Sequence, residues 1–214
     1  MSAEMVFGNY PLSSSRLKTE PYNSPYPEWR CMTYQVAFRG RDGMVIASDR
    51  REIKIPQTTN SGVGVQRNML RKISVDVSGQ FAWAFAGTRM AKLAARNLEK
   101  IPYLGENRTI QEHLEESGNR AWEDCADGPV TADSETVLMV DGNTKNILRA
   151  SVTRSTDVSD FSDEGFCMAG QTYNLASLIP EMAYSESLGV DQLIPLAAYM
   201  LYIANRVDSL YSSY

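Results

Sequence analysis

Thr33-Tyr-Gln-Val-Ala-Phe-Arg-Gly-Arg-Asp-Gly-Met-Val-Ile-Ala-Ser-Asp49-Arg-Arg is the stretch on which the reading of this chain depends. Tyr34, Val36 and Phe38 alternate with Gln35, Ala37 and Arg39, and Val45 and Ala47 alternate with Met44 and Ile46. That period of two is the signature of strands. Gly40-Arg41-Asp42-Gly43 lies between them, and Asp-Gly accommodates the positive φ that a tight hairpin needs. A turn at this place sets the register, and the registers it allows leave Asp49 opposite or diagonal to Thr33. The hairpin thus presents a hydroxyl and a carboxylate side by side at its open end.

Outward from the hairpin, residues 1–32 stand apart. Segments such as Asn9-Tyr-Pro-Leu-Ser-Ser-Ser and Tyr22-Asn-Ser-Pro-Tyr-Pro-Glu-Trp are rich in Pro, Ser and Tyr and follow neither structural period. They read as a leader or propeptide, a disordered tail, or a misassigned start, ahead of one domain at 33–214. Within that domain Pro56 to Asn68 reads as a polar, glycine-containing loop. A second strand pair follows in Lys72-Ile-Ser-Val-Asp-Val and Gln80-Phe-Ala-Trp-Ala-Phe-Ala-Gly87. Met90, Leu93, Ala94 and Leu98 keep helical spacing over 88–100, and Pro102 stops that helix. Thr109 caps a second helix with Ile110, Leu114 and Ala121 on its inner face, weakened by Gly118. Strands are expected again at 135–141, 146–151 and 165–170, then helices around 172–184 and 191–208. The order strands, two helices, strands, two helices predicts an α+β domain of sheets covered by helix pairs.

The 214 residues are 43% hydrophobic and 22% charged, with a formal net charge of −5 from mixed signs. One core of this size is compatible with a single domain. No polybasic surface is present, which argues against a nucleic-acid binder. No apolar run approaches the ~20 residues of a membrane span, and no secretory signal pattern opens the chain. Cys31, Cys125 and Cys167 are too few and scattered for a disulfide framework or metal cluster. The single histidine, His113, argues against a histidine zinc site or a Ser-His-Asp triad. No cofactor or metal is expected.

The hairpin, Arg71-Lys-Ile, Ala84-Phe-Ala-Gly87 before a helix, and Phe166-Cys-Met-Ala-Gly-Gln-Thr172 together resemble the β subunits of the 20S proteasome and their bacterial relatives. Asn205-Arg-Val-Asp208 is a weaker echo. The resemblance covers nearly all of 33–214, and it implies the four-layer αββα sandwich of N-terminal-nucleophile hydrolases, with two antiparallel sheets covered by helix pairs. It further implies a threonine endopeptidase in which Thr33, once N-terminal, is the nucleophile and its own α-amine the base. An amine with a pKa of about 7.7–8 keeps a useful neutral fraction at physiological pH. Lys72 would lower the pKa of the hydroxyl, Asp49 would hold Lys72, and the Gly87 N–H would receive the oxyanion. Asp208 would support the nucleophile from the last helix.

The same resemblance implies a cytoplasmic, homo-oligomeric ring, unfolded protein or peptide as substrate, and an ATP-dependent unfoldase or activator as partner. It implies no nucleic acid and no membrane. The chain departs from the family pattern at four places. Met32 stands before the threonine in place of the usual Gly, which fits removal of Met32 as an initiator. The 52–68 loop is expanded, Ala169 replaces the family serine, and the chain ends at Tyr214 just past Asp208. Two alternatives follow: a non-catalytic structural subunit with the leader attached, or another amidohydrolase of the superfamily.

Overall fold

The computed structural model describes residues 4–5, 33–49, 51–54, 66–69, 71–87, 89–100, 109–125, 135–170 and 175–211. Eleven strands and four α-helices follow one another in these segments. The first are β1 (Glu4–Met5), β2 (Tyr34–Arg39), β3 (Met44–Ser48), β4 (Arg51–Lys54), β5 (Gln66–Met69), β6 (Ile73–Val75) and β7 (Phe81–Ala86). Then come α1 (Met90–Lys100), α2 (Ile110–Glu123), β8 (Thr136–Asp141), β9 (Asn146–Ser151), β10 (Asp157–Asp160) and β11 (Phe166–Gly170). A 3-10 turn at Leu175–Ser177 leads into α3 (Leu178–Ala183) and α4 (Val190–Tyr211).

Two sheets form the centre. The first has the order β1-β3-β2-β11 and the second β10-β9-β8-β7-β6. All pairings are antiparallel except that of β1 with β3, which is parallel. Alternation sorts each strand's side chains between two layers. Tyr34, Val36 and Phe38 of β2, with Val45 and Ala47 of β3, pack against Leu193, Ala197, Met200 and Leu201 of α4. Their neighbours Ala37, Met44 and Ile46 turn the other way and meet Ala82, Ala84, Leu138 and Val140 of the second sheet. Phe81 and Trp83 of β7 point outward again, to Ala94, Leu98 and Leu114 on α1 and α2. Three apolar layers between four structural layers make the αββα sandwich expected from the sequence. Each large core side chain contributes about 1.5–3 kcal/mol of burial.

Helix α2 begins where Thr109 was expected to cap it. Thr109 Oγ1 accepts from the Glu112 N–H at 3.2 Å, and Glu112 returns a bond to the Thr109 N–H at 2.7 Å. Leu114 and Ala121 are fully buried, as their spacing predicted. Gly118 has a packing role that helix propensity does not reveal. A Cβ there would lie 2.3 Å from Thr156 Oγ1, so the missing side chain lets α2 approach the residue preceding β10.

Several expectations need correction. The polar stretch 56–68 ends in a strand: β5 pairs antiparallel with β4, Arg51 opposite Met69 and Lys54 opposite Gln66. Neither segment alternates in polarity, and backbone hydrogen bonding does not require that it should. Residues 55–65 lie outside the described residues. The helix expected at 172–184 is a 3-10 turn followed by the short α3. β10, Asp-Val-Ser-Asp, escaped notice because an edge strand with polar side chains carries no apolar period. Of the segment 1–32, only Glu4–Met5 is described, opposite Val45 and Ile46; the rest, including Cys31 and Met32, lies outside the described residues. Among the described residues no helix is long and apolar enough to cross a membrane, and no group of His, Cys, Asp and Glu could hold a metal ion.

Candidate active site

Three strand ends converge on one point. Thr33 immediately precedes β2 and Asp49 immediately follows β3, both in the first sheet, while Lys72 immediately precedes β6 in the second. Lys72 Nζ donates to Thr33 Oγ1 at 2.7 Å and to Asp49 Oδ1 at 2.6 Å. All three are buried, with relative exposures of 2% for Thr33, 8% for Asp49 and 5% for Lys72. Arg71 is exposed and its Nε donates to the Ile73 carbonyl, so of the two adjacent cations it is Lys72 that turns inward.

The hairpin register explains how Asp49 reaches this point. Gln35 pairs with Ser48, which sets Asp49 opposite Tyr34 and diagonal to Thr33. The Asp49 N–H donates to the Tyr34 carbonyl at 3.1 Å, and the Tyr34 N–H donates to Asp49 Oδ2 at 3.3 Å. One carboxylate oxygen therefore holds the backbone beside Thr33 and the other holds Lys72. By strict alternation Asp49 would share the α4-facing side of Val45 and Ala47. β3 ends at Ser48, however, and beyond a strand end alternation no longer dictates direction.

A buried ammonium without partners would be costly, and Asp49 supplies the compensating charge. The pair lets Lys72 bring a positive charge against the threonine oxygen, which favours the alkoxide over the alcohol. Tyr34, next along β2, is no competing acid. Burial holds its hydroxyl pKa well above the ordinary value, and that hydroxyl donates to Met168 Sδ at 3.0 Å.

β11 closes the other side. Gly170 pairs with Tyr34 at φ 85°, and a Cβ there would stand 2.0 Å from the Thr33 carbonyl oxygen and 3.2 Å from Ala86 Cβ. Gly170 is thus the close approach that brings the end of β7 beside Thr33. Ala169, where the family pattern has serine, is 1% exposed and packs between the sheets with Ala37.

Gly87 follows directly on Ala86 at the end of β7, at φ 137°, where only glycine is comfortable. Asp208 lies within α4, whose stripe Ala197, Leu201 and Ala204 packs on the first sheet; the Asp208 side chain is outside the described residues. One further residue was missed. Glu135 is 4% exposed, its carboxylate occupies the space a Gly87 side chain would need, and its Oε2 accepts from the Ala91 N–H at 2.9 Å. The available signal was an acidic residue heading the apolar run Thr-Val-Leu-Met-Val.

A groove of about 1100 Å³ runs along the β6 edge, bordered by Ser74, Phe81, Trp83, Leu98 and His113. It includes none of Thr33, Asp49 and Lys72, so the hydrogen-bonded triplet, not the larger cavity, locates the site. Cys125 and Cys167 are free and buried, and burial pushes the Cys167 thiol up to about 12.

No protein-family model matches the chain, and no curated protein matches it in sequence. Solved structures do match in shape. Anbu from Hyphomicrobium sp. strain MC1, in its Gly-1 mutant form, superposes with a TM-score of 0.59 at 16% identity, over 81% of this chain and 75% of that one. Anbu, described as an ancestral beta-subunit, from Yersinia bercovieri gives 0.56 at 14% identity with the same coverage. The helical assembly of the Anbu complex from Pseudomonas aeruginosa gives 0.53 at 17% identity. At such identities the likeness is one of fold: the chain has the proteasome-like N-terminal-nucleophile hydrolase fold.

Proposed function

We propose that this chain is a threonine endopeptidase subunit of a self-compartmentalising, proteasome-like assembly, with Thr33 as nucleophile. The observation that carries this reading is the buried triplet in which Lys72 Nζ bridges Thr33 Oγ1 and Asp49 Oδ1. A residue merely completing a strand has no need of a buried ion pair drawn from two sheets.

In the proposed reaction the bond between Met32 and Thr33 is first cleaved, which frees the Thr33 α-amine. The neutral amine takes the hydroxyl proton as Oγ1 attacks a peptide carbonyl. Lys72 stabilises the oxygen as charge develops, and the Gly87 N–H receives the tetrahedral oxyanion. Collapse expels the amine half of the substrate, protonated by the Thr33 ammonium, and leaves an acyl ester on Oγ1. Water, deprotonated by the same amine, hydrolyses the ester and regenerates the hydroxyl. Oligomerisation would confine this chemistry to a chamber, which suits unfolded chains in the cytoplasm and an ATP-dependent unfoldase as feeder. Asp208 is proposed to support Thr33 from α4.

One observation favours a second reading. Glu4–Met5 pairs along β3 in the uncleaved chain, as a retained leader of a non-catalytic structural subunit would. N-terminal sequencing and intact mass of the purified assembly separate the two. A mature chain beginning at Thr33, with fluorogenic-peptide turnover abolished by Thr33→Ala, supports the peptidase. A retained Met1, or equal turnover in wild type and Thr33→Ala, refutes it.

A further inference from the structure

We propose that Glu135 is a positioning residue that holds the oxyanion donor at Gly87; the proposal rests on the peptidase reading above. The β7–β8 ladder pairs Ala86 with Thr136, so its continuation sets Gly87 against Glu135. A Cβ on Gly87 would lie 2.3 Å from Glu135 Oε2, 2.8 Å from its Cδ and 3.0 Å from its Cα. The Glu135 side chain thus fills the volume that any other residue at 87 would occupy. Its Oε2 also accepts from the Ala91 N–H, in the first turn of α1. One carboxylate therefore grips both arms of the strand-to-helix corner, the glycine that ends β7 and the helix that follows it.

Two physical requirements meet here. An oxyanion donor lowers the barrier only if its N–H is already aimed before charge develops, and glycine is the residue least able to hold an aim by itself. Gly87 sits at φ 137°, a conformation that the packed carboxylate keeps from relaxing. A buried carboxylate close to a developing oxyanion would also oppose it unless its charge were balanced. The first N–H groups of α1, which lack partners within the helix and form its positive end, provide that balance. Glu135 fixes the donor while its own charge is absorbed by the helix.

The test compares Glu135→Ala, Glu135→Asp and Glu135→Gln in the matured assembly by peptide turnover, melting temperature and amide hydrogen exchange. Glu135→Ala empties the volume beside Gly87 and removes the acceptor, so kcat is expected to fall about 100-fold, the order seen when an oxyanion donor is lost, with KM nearly unchanged. Exchange in the peptide spanning 86–91 should rise in step. Glu135→Gln keeps shape and acceptor and should restore most of kcat. Glu135→Asp keeps the charge but falls short of the corner, so it should fold and still lose kcat, even if the alanine variant does not assemble. Full kcat in Glu135→Asp, or unchanged exchange at 86–91 in both shortened variants, overturns the proposal. If wild-type turnover proves independent of Thr33, the peptidase reading fails, while the exchange comparison still decides whether Glu135 fixes the Gly87 corner.

Discussion

Lys72 and Asp49 come from opposite sheets and meet as a buried ion pair, Nζ to Oδ1 at 2.6 Å. The pair joins the two halves of the sandwich at the place where chemistry is proposed. Lys72→Met leaves a buried carboxylate without its cation, which costs about 3–5 kcal/mol. Adding Asp49→Asn removes that charge and should recover part of the loss, giving a coupling of at least about 1 kcal/mol in a urea-denaturation double-mutant cycle. Activity should be absent from both the single and the double variant. Strictly additive stabilities would contradict the pairing.

Gly170→Ala is expected to damage the site without removing any reactive group. Its φ of 85° is unfavourable for an L-residue by about 1–2 kcal/mol, and the new Cβ would push against the Thr33 carbonyl. A lower melting temperature together with at least a tenfold loss of turnover is the expected result. Wild-type turnover would show that Thr33 does not depend on this approach.

Gly118→Ala sets helix propensity against packing. Propensity alone would stabilise α2 by about 1 kcal/mol, whereas overpacking against Thr156 costs about 1–3 kcal/mol. Packing should win, because the would-be Cβ meets Thr156 Oγ1 at 2.3 Å and Cγ2 at 2.6 Å. Thr156→Ala removes both atoms, so the double variant should be more stable than Gly118→Ala alone in thermal unfolding.

Asp76, between β6 and β7, gives a pH signature. Burial would raise its carboxyl pKa, but the Ser78 hydroxyl and the N–H groups of Phe81, Ser78 and Gln80 outweigh burial and hold it below the ordinary carboxylate value. A lowered native pKa means stability that is fully present above the unfolded value of about 3.9 and lost as pH falls through the native one. Asp76→Ala should therefore cost about 1 kcal/mol at pH 7, allowing for its partial exposure. The difference from wild type should shrink below pH 4 in denaturant titrations. A gap that stays constant down to pH 2 would rule out this origin.

The local signals in this chain were strong wherever one residue's period or cap decided the outcome. Alternation in Tyr34–Arg39 and Met44–Ser48 defined the hairpin, Thr109 with Glu112 defined the start of α2, and apolar spacing defined α1 and most of α4. The β4–β5 hairpin and β10 left no such mark, because polar strands are held by backbone bonds that any sequence can make. From the residues alone Thr33 and Asp49 were neighbours in a hairpin, and Lys72 joined them only through a resemblance. Whether Lys72 or Arg71 turned inward depended on where the second sheet lay against the first. Gly118, Gly170 and Glu135 show the same division. Two glycines read as turn or weak helix and a glutamate heading a strand acquire their roles from atoms far away in sequence: Thr156, Thr33 and the N-terminus of α1. Periodicity is a property of neighbours along the chain, so the sequence determined the elements and their faces. Close approach is a property of neighbours in space, and only the packing of the two sheets decided what the site contains.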